Sequence, residues 1–217
     1  MEQRRVLIAG ATGLIGRELL DGLLADRTVA EVYSLGRRRP AERHPKLHAR
    51  QVDFGALPAL PPIDEVYLAL GTTIKAAGSQ AAFRALDFDA NLAVARAALA
   101  AGARRAGLVS AMGASAASTV FYSRVKGELE DALAALGFDA LVIARPSLLV
   151  GDRASLGQPE RRGEHIGLAL SRALGPLVPA AYRPIQAARV ARALLARVPA
   201  ASGVQVLSSV QMQRPAH

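Results

Sequence analysis

The sequence contains no cysteine and no tryptophan. Without thiols there is neither a disulfide framework nor a cysteine-based zinc site, so no metal site is expected. The 217 residues must hold together through a packed core, which a chain of this length can bury. Aromatic residues are also scarce. Five Phe and four Tyr leave few platforms for stacked bases, which argues against a nucleic-acid groove despite a net charge of +9. That charge is an excess of arginine scattered in ones and twos, and a solvated surface accounts for it; Arg37-Arg38-Arg39 is its one run. No apolar stretch reaches membrane-spanning length without a charge or a Gly/Pro break, and the charged opening residues lead straight into an apolar run. These absences predict no membrane span, a cytoplasmic location and one globular domain over 1–217.

What the sequence does have begins at Arg4. Val6, Leu7, Ile8 and Ala9 form an unbroken apolar run, as expected of a parallel strand buried on both faces. Glycines follow at Gly10, Gly13 and Gly16, and then Leu14, Ile15, Leu19, Leu20, Leu23 and Leu24 recur at helical spacing. Three glycines between a strand and a helix make a dinucleotide fingerprint: a tight turn, close backbone approach to a pyrophosphate, and close packing of helix on strand. The helix N-terminus turns its partial positive charge to the phosphates.

Further strands are read at 31–36, 47–53, 65–71, 105–110 and 139–145, with a late one at 204–207. Helices are read at 79–101, where Phe83, Leu86, Leu92, Val94 and Leu99 point inward, at 119–136, 165–174 and 186–198. Strands alternating with helices at this spacing predict an α/β fold with a doubly wound parallel sheet and a small C-terminal helical segment on the substrate side.

Ligands of such sheets gather at the carboxyl ends of the strands. An NAD-preferring site places an acid at the end of the second strand. Here Gly36 is followed by Arg37 and Arg38, whose guanidinium forks suit a 2′-phosphate, so NADP(H) is expected over NAD(H). Asp53 is placed either at the adenine amino group or as the cap of the next turn. Leu70, Gly71, Thr72 and Thr73 supply a close backbone approach and two hydroxyls near the middle of the cofactor, with Lys75 in the same loop. Tyr122 and Lys126 are four residues apart, which sets phenol and ammonium on one helical face. A lysine cation beside a phenol favours the phenolate, so the phenol can give its proton to a substrate carbonyl. Ser110, ending a strand, is placed to hydrogen-bond the same carbonyl oxygen.

GATGLIGRELL, SLGRR, VDF at 52–54, LGTT with Lys75, VSAMGAS, FYSRVKGELE and ARPSLLVGDR together resemble the atypical short-chain dehydrogenase/reductases. The likeness is greatest to the branch typified by the HIV Tat-interactive oxidoreductase and its bacterial relatives, and it covers Arg4 to His165. The resemblance implies that Gly10, Thr12, Gly13, Leu14, Ile15 and Gly16 hold the pyrophosphate and that Arg37 and Arg38 hold the 2′-phosphate. It implies also that Tyr122 and Lys126 form the active-site pair against the cofactor, and that Arg145, Pro146 and Leu148 lie by the nicotinamide. Relatives often carry a run of serines where this chain has Ser110-Ala111-Met112, which leaves three alternatives for the catalytic hydroxyl: Ser110, Ser115 or none.

Two functions follow. One is an NADP(H)-dependent oxidoreductase acting on a small carbonyl or alcohol. Tyr122 supplies the proton, Lys126 holds the ribose and Ser110 orients the carbonyl. The other is an NADP(H)-binding regulatory or scaffold protein with a protein partner and without significant turnover. The polar, glycine-rich segment 151–163 is read as a loop at the substrate entrance.

Overall fold

The computed structural model describes residues 3–150 and 179–214. The first strand, β1 (Arg4–Ala9), leads into helix α1 (Leu14–Ala25). The chain continues through β2 (Val29–Gly36), β3 (Leu47–Gln51), β4 (Glu65–Leu68), the short helices α2 (Ile74–Ala77) and α3 (Gln80–Arg84), and α4 (Asn91–Ala100). Next come β5 (Arg105–Val109), α5 (Phe121–Ala134) and β6 (Ala140–Arg145). The last elements are a two-residue pair, β7 (Leu149–Val150) with β8 (Ile185–Gln186), then α6 (Ala187–Arg197), β9 (Gly203–Ser208) and α7 (Ser209–Gln213).

Seven strands form one sheet in the order β3-β2-β1-β4-β5-β6-β9, and every pairing is parallel. This is the doubly wound α/β architecture that the alternation of elements predicts. Parallel strands need helical crossovers, so both faces are covered and the central strands read as continuous apolar runs. One face packs Ile15, Leu19, Leu20 and Leu23 of α1 with Val190, Ala191 and Leu194 of α6. The other packs Val94, Ala95 and Ala98 of α4 with Leu129 and Leu133 of α5. The chain reverses its strand order between β1 and β4, and the crevice above that point is where such sheets take ligands.

One element departs from its sequence pattern. The helix expected over 79–101 is interrupted by a π-helical stretch, Ala85–Ala90. A π turn holds more residues than an α turn and so shifts the face that follows. Leu86 and Leu99, expected inward, are half-buried, while Phe83 and Val94 are buried as expected and the polar Asp87 and Asn91 are fully buried with them. The expected helix at 165–174 and the polar loop at 151–163 lie outside the described residues.

Candidate active site

The glycine turn shows why its residues are glycines. Gly10 has φ +92°, and a Cβ there would stand 2.4 Å from the Ala69 carbonyl oxygen. A Cβ on Gly16 would stand 1.9 Å from the Gly10 carbonyl oxygen, and one on Gly13 3.3 Å from it. The Gly13 N–H donates to that same oxygen at 2.9 Å, which closes the turn. Gly13 is the N-cap of α1 with no side-chain cap, so the first amides of α1 are not satisfied by a capping side chain. Ile15 is buried in the core, so any part it takes in phosphate binding is through its backbone. A turn whose backbone packs too closely on itself to admit side chains, at the N-terminus of a 12-residue helix, fits a pyrophosphate.

Beside it, Thr12, Arg17, Arg38, Arg39, Pro40 and Glu42 line a cavity of about 200 Å³. Arg17 pairs with Glu42 at 3.3 Å. The turn after β2 is tight, since a Cβ on Gly36 would meet the Arg38 carbonyl oxygen at 2.9 Å. It brings Arg38 and Arg39 to the cavity. Arg37 is exposed and is not among the lining residues. Asp53 is exposed, and its carboxylate accepts the Gly55 N–H at 2.9 Å, capping the turn.

The second half of the site is built around two buried carboxylates. The side chains of Lys126 and Asp87 are 5 % and 0 % exposed, and Lys126 Nζ lies 2.7 Å from Asp87 Oδ1. The other oxygen of Asp87 accepts the Thr72 N–H at 2.8 Å, and Asn91 Nδ2 donates to the carbonyls of Asp87 and Leu70. The π stretch thus ties the loop after β4 to the lysine on α5. A Cβ on Gly71 would sit 3.5 Å from Asp87 and 3.9 Å from the ammonium. Thr73 caps α2 by accepting from Ala76, and Lys75 is exposed. Burial alone would lower the Lys126 pKa, but the Asp87 carboxylate, with Tyr122 and Glu130, raises it above the ordinary lysine value. Lys126 is therefore a fixed cation at neutral pH.

Glu130 continues the helical stripe of Tyr122 and Lys126 at the same spacing of four, and it is buried. It accepts the Ser110 hydroxyl and a fork from Arg145, whose Nε reaches both carboxylate oxygens at 3.1 Å while Nη2 makes a closer ion pair. The hydrogen bond to Glu130, outweighing burial, raises the Arg145 pKa, so this guanidinium stays cationic. Ser110 is buried with its proton committed to Glu130, whereas Ser115 is exposed. The Tyr122 ring is half-buried against Phe83, with centroids 5.5 Å apart. A Cβ on Gly127 would stand 2.2 Å from the Ser115–Ala116 backbone, so α5 is seated directly on the loop after β5. Pro146 is buried and Leu148 is half-buried beyond β6.

Sequence reasoning placed Tyr122, Lys126 and Ser110 at this edge of the sheet but missed Asp87, Asn91 and Glu130. A signal was present. Glu130 repeats the Tyr122–Lys126 interval, and Asp87 and Asn91 follow the apolar Phe83 at the same interval, on its inward face.

No family model matches the chain. Protein fmp52, mitochondrial, of Emericella nidulans is 35 % identical over 180 residues, which cover 78 % of this chain and 76 % of the relative. Among solved structures, the Bordetella bronchiseptica enzyme WbmH in complex with NAD+ superposes with a TM-score of 0.68 at 18 % identity, covering 95 % of this chain and 76 % of the other. A short chain dehydrogenase family protein from Francisella tularensis superposes with a TM-score of 0.69 at 11 % identity, covering 98 % and 100 %. These likenesses show the fold. The relatives in Emericella, Coccidioides and Candida are all named mitochondrial, which overturns the expected cytoplasmic location. That expectation rested only on the lack of a recognisable leader, and an absence of signal carries no physical information about destination.

Proposed function

The chain belongs to the Fmp52 protein family, and from that premise we propose that it is an NADP(H)-dependent oxidoreductase of the atypical short-chain dehydrogenase type, nearest to the Tat-interactive branch. Its substrate is a small carbonyl or alcohol. The observation that supports this best is the Lys126–Asp87 pair. A cation sealed from solvent one helical turn from a half-exposed tyrosine, at the switch point of the sheet, does nothing for the surface.

The glycine turn and the amides of α1 suit the pyrophosphate, and Arg38 and Arg39, with Arg17, suit the 2′-phosphate. Bound NADPH supplies the hydride. Tyr122 gives its phenolic proton to the oxygen of the reduced carbonyl, and the Lys126 cation stabilises the phenolate left behind. Asp87 keeps Lys126 charged and fixed in position. For Ser110 to orient the carbonyl, its hydroxyl must turn from Glu130 to the substrate oxygen.

That commitment of Ser110 is also the observation favouring the second reading, a cofactor-binding regulatory protein without turnover. Binding of NADPH and NADH followed by fluorescence, together with oxidation of NADPH against pooled aldehydes, ketones and quinones, separates the two. Saturable NADPH binding with turnover on one pool is the expected result. Binding without turnover on any pool establishes the regulatory reading, and failure to bind either nucleotide overturns both.

A further inference from the structure

At the edge of the sheet farthest from the glycine turn, α6, β9 and α7 enclose a groove of about 1110 Å³. Arg189, Arg192, Ala193, Ala196 and Arg197 form its wall, recurring at the three- and four-residue intervals of one helical stripe. Arg214 stands at its end. No acidic residue is among the lining residues, and among the described residues none of these four arginines is in an ion pair.

A second observation comes from β9 itself. It is the last strand of the sheet, paired on one side only among the described residues, so its other side presents backbone N–H and C=O groups. Its side chains divide by face. Leu207 packs into the α1/α6 core, on the side of the arginine stripe. Val204 and Val206 point to the opposite face, continue the rows of Leu141 and Ile143, and remain 56 % and 43 % exposed.

We propose that this edge docks an extended segment of a partner protein in which acidic and apolar residues alternate. The segment adds a strand to β9, turning its carboxylates to Arg192 and Arg197 and its apolar side chains to Val204 and Val206. Charge selects this occupant. A second copy of the chain related by a two-fold axis would set the same arginines against each other. The residues 151–178 carry Arg153, Arg161, Arg162 and Arg172 against Asp152, Glu160 and Glu164, so they are cationic too. A single-stranded nucleic acid lacks its stacking partner, because no aromatic residue lines the groove. A bilayer presents a plane, and the arginines line a concavity.

The test uses the full chain and a fluorescein-labelled peptide of alternating glutamate and valine, read by anisotropy and by amide hydrogen exchange. The expected result is saturable binding that slows exchange in 203–208 and weakens by about tenfold or more in the double variant Arg192→Glu, Arg197→Glu. Val206→Lys weakens it as well. The exposed pair Arg50→Glu, Arg96→Glu changes the net charge equally and leaves binding intact, which separates the groove from bulk charge. The proposal is overturned if the alternating peptide binds no better than one with its glutamates and valines in blocks, or if exchange in 203–208 is unmoved. It is also overturned if anionic phosphatidylglycerol vesicles or oligouridine displace the peptide at equal charge concentration, or if the chain alone is a dimer that the arginine variants dissociate. NADPH binding by the arginine variants is unchanged in every case, since the groove lies away from the cofactor cradle.

Discussion

Both ends of the parallel sheet hold a tyrosine, a cation and at least one buried carboxylate, yet only one end leaves its tyrosine partly exposed. At the amino end, Arg4 spends its guanidinium on Glu65 at 2.6 Å and on Asp26 and Thr28 at 2.7 Å. Tyr67 lies beside Glu65 with no exposure, and burial, then the Glu65 charge, pushes its phenol well above the ordinary range. Its proton is unavailable. At the carboxyl end Tyr122 is half-exposed, Lys126 is paired with Asp87, and Gly71 lets the loop after β4 lie against that pair. The two ends differ less in residue types than in what surrounds the phenol. Both ionic clusters are largely sealed from solvent, and only the one at the carboxyl end lies beside a tyrosine that is itself partly exposed.

The strongest way to break the comparison is to remove the buried cation. Lys126→Met leaves the buried Asp87 side chain without its cation, and should cost about 3–5 kcal/mol in urea denaturation and abolish turnover. Adding Asp87→Asn should restore most of the stability and none of the activity. If activity returns with stability, Lys126 is a structural residue like Arg4. Next in size, Tyr122→Phe should lower kcat by roughly 10² with the Kd for NADPH nearly unchanged, because only the proton donor is lost. Tyr67→Phe removes one hydrogen bond of 3.4 Å, and should cost at most about 1 kcal/mol of stability and leave kcat alone. Equal kinetic effects at both tyrosines would erase the distinction between the two ends.

The arginines sharpen the same contrast. Arg4 is consumed by the fold, whereas Arg38 and Arg39 are exposed at the cavity. NADPH should bind about tenfold more tightly than NADH, a difference of about 1.4 kcal/mol, and the Arg38→Ala, Arg39→Ala variant should lose it. Arg37→Ala should retain it, and titration of each variant with both nucleotides decides the matter.

The smallest effect is a pH dependence at the amino end. Partial burial would raise the Asp26 pKa, but the Thr28 N–H and hydroxyl and the Arg4 charge hold it below its ordinary value of 3.8. A carboxyl that titrates lower when folded contributes stability that is complete above the ordinary value and is lost as pH falls through the folded one. Asp26→Asn should therefore lower Tm modestly near neutrality, where that contribution is complete, and flatten its fall on acidification below about pH 4. An unaltered acid profile would remove Asp26 from that cluster.

The strand, glycine turn and helix at the start of the chain were legible in the sequence because each rests on neighbours a few residues apart. An apolar run, a residue without Cβ and a 3.6-residue period act locally. The Tyr122–Lys126 face was legible for the same reason, since one helix fixes it. Asp87 meets Lys126 across 39 positions of sequence, and only because a π stretch shifts the helix before α4. Glu130 meets Ser110 and Arg145 only because β5 and β6 lie side by side and α5 packs across them. That Arg38 and Arg39 line the cavity and Arg37 does not follows from the course of the turn after β2, which no local pattern specifies. Local periodicity thus determined the fold class and the shared helical face of Tyr122 and Lys126. The partners that hold each charge in place were decided by tertiary packing, because a side chain's direction in space depends on contacts that no spacing along the chain encodes.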